Sequence, residues 1–172
     1  MNWEAISAFS DFFAAIAVIV TLAYLAVQIR QNTRALKSAA TQGAHEQSSA
    51  LYDQLADDNG LADIFYRGLD DPESLSREEM ARLFAFLLST LFRFQNWYYQ
   101  TRNGVLDPEL FDSWAKILSP LSGLPGYQFF WEQRRHMFAP ELVAYLETRV
   151  YLKDRDPDYR PLGVNLKPGD RA

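Results

Sequence analysis

Cysteine is absent, histidine occurs only twice, and cations are outnumbered, with 17 Lys+Arg against 22 Asp+Glu. Without cysteine there is no disulfide framework, no thiolate metal site and no cysteine nucleophile. A net charge of −5 argues against nucleic acid as a partner, since such binding leaves a basic footprint. The chain has no G-x-S-x-G, no Walker loop, no G-x-G-x-x-G and no H-E-x-x-H. His45 and His136 lie far apart and neither has a Glu-x-x-His partner, so no metal site is expected. Asp57-Asp58-Asn59-Gly60 lacks the ligand spacing and closing Glu of a calcium loop. No catalytic residue and no cofactor can be assigned. Alternating β-branched stretches are missing too, which leaves an all-α chain.

What is present is a long apolar run. Phe12 to Val27 reads FFAAIAVIVTLAYLAV, and from Phe9 to Ile29 the 21 residues hold one charge, Asp11. A bilayer core of about 30 Å needs roughly 20 helical residues at about 1.5 Å each. The ten Phe, Ile, Val and Leu residues between Phe12 and Ile29 favour insertion by about 3 to 6 kcal/mol, at roughly −0.3 to −0.6 each. The competing readings are a buried core helix and a cleaved signal peptide. A signal peptide should begin with basic residues, but here Glu4 and Asp11 precede the first cation, Arg30.

The flanks predict an orientation. Residues 1–29 contain no Lys or Arg, whereas Arg30, Arg34 and Lys37 follow the span with no acid before Glu46. Spaced by four and three, they share a helical face that meets anionic headgroups at about 1 kcal/mol each. The positive-inside rule then places the amino terminus outside and the bulk of the chain in the cytoplasm, with Trp3 at the outer interface. On another face Ser7, Ser10, Ala14, Ala17, Thr21, Tyr24, Gln28 and Gln31 form a seam of small and polar side chains. Such seams let helices approach closely in lipid. The expected partners are therefore the lipid bilayer and either a second copy of the chain or another membrane-protein subunit.

Nothing breaks a helix before Asp57, with Gly43 the one weak point, so a single helix of about 80 Å is expected from Asn2 to Asp57. Asp57 and Asp58 disfavour a helix C-terminus and are read as capping a short helix, Leu61–Leu69. After the loop Asp70–Leu75, Ser76 and Glu79 form a capping box that opens an amphipathic helix to about Arg102, stopped by Asn103-Gly104. Asp107-Pro108 opens the next helix, which ends before a turn over Ser119–Gly126. A helix over about Tyr127–Met137 follows, and Ala139-Pro140-Glu141-Leu142 starts a last one ending near Leu152. The predicted organisation is an extracytoplasmic segment 1–8, a transmembrane helix 9–29, a helical extension 30–58, a cytoplasmic helical domain 59–152, read as a small bundle, and a flexible tail 153–172.

At Tyr24–Arg34 (YLAVQIRQNTR) the chain resembles a widespread group of uncharacterised bacterial single-pass membrane proteins. In these an amino-terminal apolar helix runs into an Ile-Arg-Gln-Asn-Thr-Arg-like stretch. Tyr99–Asp107 (YQTRNGVLD) and Trp131–Glu141 (WEQRRHMFAPE) are similar to that group as well, so the likeness covers most of residues 10–150. It implies this architecture and a bacterial inner-membrane home, and carries no activity.

Two features remain as candidate sites. Glu132, Arg134, Arg135 and His136 form a charged cluster in FFWEQRRHMF, where arginine can clamp a phosphate or carboxylate. The plainer reading is that cations at a helix C-terminus offset its dipole. Twelve aromatics between Phe92 and Phe138 exceed what one small core needs. They suit core packing, an apolar pocket, or a face turned to membrane or partner. Arg134, Arg135, Trp131 and Trp97 are accordingly the candidate ligand contacts. The leading expectation is a membrane-anchored interaction module, an accessory or scaffold subunit. The alternative is a tethered sensor that binds an apolar or anionic molecule or lipid in an aromatic pocket. An enzyme using Glu132 and His136 as acid and base is a remote third.

Overall fold

The computed structural model describes residues 3–57 and 60–151, with side chains from Asp11 onward. The expectations for the side chains of Trp3, Ser7 and Ser10, for Asp58, and for the tail from Lys153 lie outside the described residues. Among the described residues there are six α-helices and no strand, so the chain is all-α.

The first helix, α1, runs from Trp3 to Asp57. It holds no proline, and its single glycine at 43 is tolerated because the neighbouring Ala, Gln and Leu residues favour helix. The chain nevertheless divides there into two compact units, Met1–Gln42 and Gly43–Ala172. In the first unit every side chain from Asp11 to Ala39 is exposed, Phe12, Phe13, Ile19 and Ile29 each by more than 60%. This helix is long and apolar enough to cross a membrane. Its exposure is not that of a core helix.

The second unit begins with the end of α1, where Ala44 and Leu55 are buried in the core. The break therefore falls well before residue 59, because Gly43–Asp57 carries its own buried stripe. Next come α2 (Leu61–Asp70), a 3₁₀ turn over Pro72–Ser74, α3 (Arg77–Arg102), α4 (Pro108–Ser122) and α5 (Pro125–Arg134). A second 3₁₀ turn over Arg135–Met137 leads to α6 (Pro140–Tyr145), which continues as a π-turn over Leu146–Val150. Helix α2 packs on α3 and α5, and α3 packs on α4. Leu69, Leu83, Leu91, Leu124, Phe130, Leu142 and Leu146 belong to one hydrophobic core and are inaccessible to solvent.

Local chemistry sets most boundaries. Ser76 Oγ accepts from the Glu79 backbone N–H, and the Glu79 carboxylate accepts from the Ser76 N–H at 2.8 Å, so the capping box is formed. Arg67 of α2 reaches the same carboxylate, which ties two helices through one cap. Gly104 ends α3 with φ of 68°, a left-handed backbone that favours glycine. The Asp107 side chain caps α4 by accepting from Glu109 N–H at 2.8 Å.

Three boundaries differ from expectation. The position before α2 is taken by Gly60 at φ 134°, and among the described residues no side chain caps that helix. Helix α4 does not stop at Leu118 but runs to Ser122 with Pro120 inside it. Proline removes the bond to the Lys116 carbonyl, and burial of Leu118 and Ser122 on either side holds the turn helical despite that loss. Helix α5 correspondingly opens at Pro125 rather than Tyr127, and closes at Arg134.

Candidate functional site

Between the end of α1 and helices α3 and α4 lies a cavity of about 620 Å³. Its walls follow from helical periodicity. Ser48, Leu51, Tyr52 and Leu55 are one face of α1 at spacings of three, one and three. Phe86, Leu87, Thr90, Leu91, Phe94 and Trp97 are one stripe of α3, and Trp114, Ile117, Leu118 and Leu121 are one stripe of α4. Phe65 of α2 and Tyr127 of α5 complete the enclosure. The α1 segment is held to α3 and α4 by two contacts. Arg93 on α3 donates to the Gln47 carbonyl at 3.3 Å, and the His45 ring meets the Trp114 ring edge-on with centroids 5.4 Å apart.

The lining is almost wholly apolar. Thr90 donates its hydroxyl to the Phe86 carbonyl at 2.8 Å, which commits its one proton and leaves it only as an acceptor. Lys116 is the one charged side chain on the cavity. It is exposed, and it makes no ion pair among the described residues. Trp97 and Trp114 lie against each other at 4.5 Å between ring centroids. The Trp97 indole N–H and the Gln100 Oε1 are both buried without a partner among the described residues, a donor and an acceptor one turn apart on α3. A buried polar group left unpaired costs about 1–3 kcal/mol.

A smaller cleft of about 210 Å³ lies on the other side of Tyr127, bordered by Ser122, Trp131, Glu132, Glu147 and Tyr151. The Tyr127 and Tyr151 hydroxyls are 2.6 Å apart. Burial pushes both phenols well above the ordinary tyrosine range, so both stay neutral. The Glu147 carboxylate accepts from the Trp131 indole N–H at 3.0 Å and from Arg135 at 3.3 Å.

The sequence candidates thus separate. Trp97 lines the larger cavity and Trp131 the smaller cleft. Arg134 lays its guanidinium over the Phe84 ring at 5.2 Å, a cation–π contact at the end of α5. Arg135 pairs with Glu147. Neither arginine borders the 620 Å³ cavity. Glu132 borders the smaller cleft and His136 does not, so this cleft does not bring the acid–base pair together. Among the described residues no group of three or more potential ligands gathers as a metal site. On α1, Ala14, Ala17 and Thr21 are exposed, and three of the seam's polar side chains, Thr21, Tyr24 and Gln28, bond within the helix. Thr21 donates to the Ala17 carbonyl at 2.8 Å and Gln28 to the Tyr24 hydroxyl at 2.6 Å. Arg30, Arg34 and Lys37 are exposed and unpaired among the described residues.

No protein-family model, curated protein or solved structure matches the chain.

Lys116 was not singled out from sequence, although a signal for it existed. It is the sole charge between Asp112 and Glu132. A lone lysine in so apolar a stretch marks an edge where a core meets water.

Proposed function

We propose that the chain is a membrane-anchored helical domain that binds a small apolar molecule, a tethered sensor with the 620 Å³ cavity as its receptor and α1 as its anchor. The observation that carries this reading is the cavity itself. Its size lies within the roughly 300–1,000 Å³ of small-molecule pockets, and apolar walls with few polar groups are the usual lining. The anchor reading rests on the exposed apolar length of α1. The orientation rests on Arg30, Arg34 and Lys37, which follow the span and have no counterpart before it. The proposed setting is a bacterial inner membrane, with the amino terminus outside and the cavity on the cytoplasmic side.

The test uses the full chain in nanodiscs of zwitterionic lipid, a neutral solvatochromic dye, and a series of n-alkanols as competitors. Each buried methylene contributes about 0.8 kcal/mol, so displacement should improve roughly fourfold per added carbon until the cavity is full. Ile117→Trp and Leu121→Trp, which place bulk at the cavity edge, should abolish saturable dye binding while the helical circular dichroism is kept. Dye binding that is unsaturable, or unchanged in both variants, overturns the receptor reading. A copurifying protein together with a cavity that admits no dye would return the role to contact through the exposed α1 seam.

A further inference from the structure

We infer that the ligand is a single-chain amphiphile with an anionic head, its tail in the cavity and its head on Lys116, an inference that rests on the receptor reading above. The cavity lining carries charge at one place only, Lys116. Leu91, Phe94 and Leu118 in its wall are buried and hydrocarbon. The Thr90 hydroxyl proton is committed to the Phe86 carbonyl, and the Trp97 N–H is buried. At the edge stand exposed Lys116 and two half-exposed residues, Tyr52 at 44% and Ile117 at 43%. No acidic residue lines the cavity, and Lys116 has no ion-pair partner among the described residues.

That asymmetry selects a molecule that is apolar along its body and negative at one end. The walls reject charge, because burying an unpaired charge among hydrocarbon is costly. An ammonium at the rim of an apolar opening attracts an anion more strongly than the same ammonium on an open surface, since the neighbouring hydrocarbon excludes part of the water. About 620 Å³ is room for one drug-sized ligand, hence for one alkyl chain and not the body of a two-chain lipid. A carboxylate and a phosphate monoester both supply the head.

The experiment displaces the neutral dye from the full chain in zwitterionic nanodiscs, with empty nanodiscs subtracted, at a pH above the carboxylate range. The competitors are dodecanoate, dodecyl phosphate and dodecanol, which share one tail. The anionic pair should displace dye at concentrations about threefold to tenfold below the alcohol, the worth of a partly exposed ion pair. Lys116→Gln should level acid and alcohol without changing the alcohol, Lys116→Glu should reverse the order, and Lys116→Arg should keep it. The advantage should shrink as salt is raised. Equal displacement by acid and alcohol in the native protein, or an acid preference that survives Lys116→Gln, overturns the head-group inference and leaves the receptor reading standing. Failure of all three competitors to displace dye removes both. Preference for dodecanoate over dodecyl phosphate, or the reverse, identifies which head the site takes.

Discussion

Gly126 shows how much one missing side chain can decide. A Cβ there would run into the carbonyl of Gly68, backbone against backbone, because α5 crosses α2 at that point with nothing between them. At Gly68 the nearest atoms to an added Cβ are side-chain atoms of Leu75 and Leu83, their methyl ends at 2.5 and 2.7 Å, which can turn aside more readily than backbone. Gly126→Ala should therefore destabilise the domain by about 3 kcal/mol, the upper end for overpacking, and lower its Tm by roughly 6–12 °C, whereas Gly68→Ala should cost less. Thermal unfolding of the full chain in detergent, followed by circular dichroism, checks both. A Gly126→Ala protein as stable as the native chain would mean that the two helices are not in backbone contact. At this scale the sequence is only partly legible. Trp97 was open to reading because aromatics attract notice, but which aromatics converge on one space depends on three helices meeting. The charges of FFWEQRRHMF drew attention as an isolated cluster, yet Arg134 and Arg135 spend themselves on Phe84 and Glu147.

Element boundaries were legible where the signal is local and opaque where packing overrules it. Ser76-x-x-Glu79 and Asn103-Gly104 bracket α3 because both ends are settled by groups within four residues of the boundary. Pro120 misleads because its local penalty is outweighed by the buried turn on which it sits. The α3 cap also makes the domain sensitive to acid. Hydrogen bonds from Ser76, and then from Arg67, hold the Glu79 carboxyl at about 2, below its usual 4.5. A carboxyl depressed in the folded state contributes stability that is complete above the unfolded value and disappears as pH falls through the folded one. Stability should therefore decline between about pH 4.5 and 2, and Glu79→Gln should flatten that part of the profile. Urea midpoints measured across the range decide it, and a native profile no steeper than that of the variant would show that the cap is not formed. Removing the partner hydroxyl by Ser76→Ala costs about 1 kcal/mol at any pH above the transition.

For the molecule as a whole, the proposed orientation makes the sharpest demand. With three cations after the span and none before it, a reporter fused after Ala172 should be active only if it works in the cytoplasm. Replacing Arg30, Arg34 and Lys37 by Gln while adding lysines before Phe9 should weaken or invert that result. Alkaline phosphatase activity from the unmodified fusion would refute the orientation, and release from membranes by carbonate would refute the span. The long apolar helix was legible from sequence because apolar length is a one-dimensional property. The cavity was not, since its volume belongs to no single segment.

The indoles of Trp97 and Trp114, 4.5 Å apart in the cavity wall, have a consequence in optics. Two such chromophores at that distance and at 41° to each other couple their excited states, and the pair carries a chirality imposed by α3 and α4. The near-ultraviolet spectrum of the native protein should hold a signed band that belongs to neither indole alone and that vanishes with Trp114→Phe. Anything that enters between α1 and these rings alters the dipoles around them, so the protein bears its own spectroscopic gauge of whether the chamber is full.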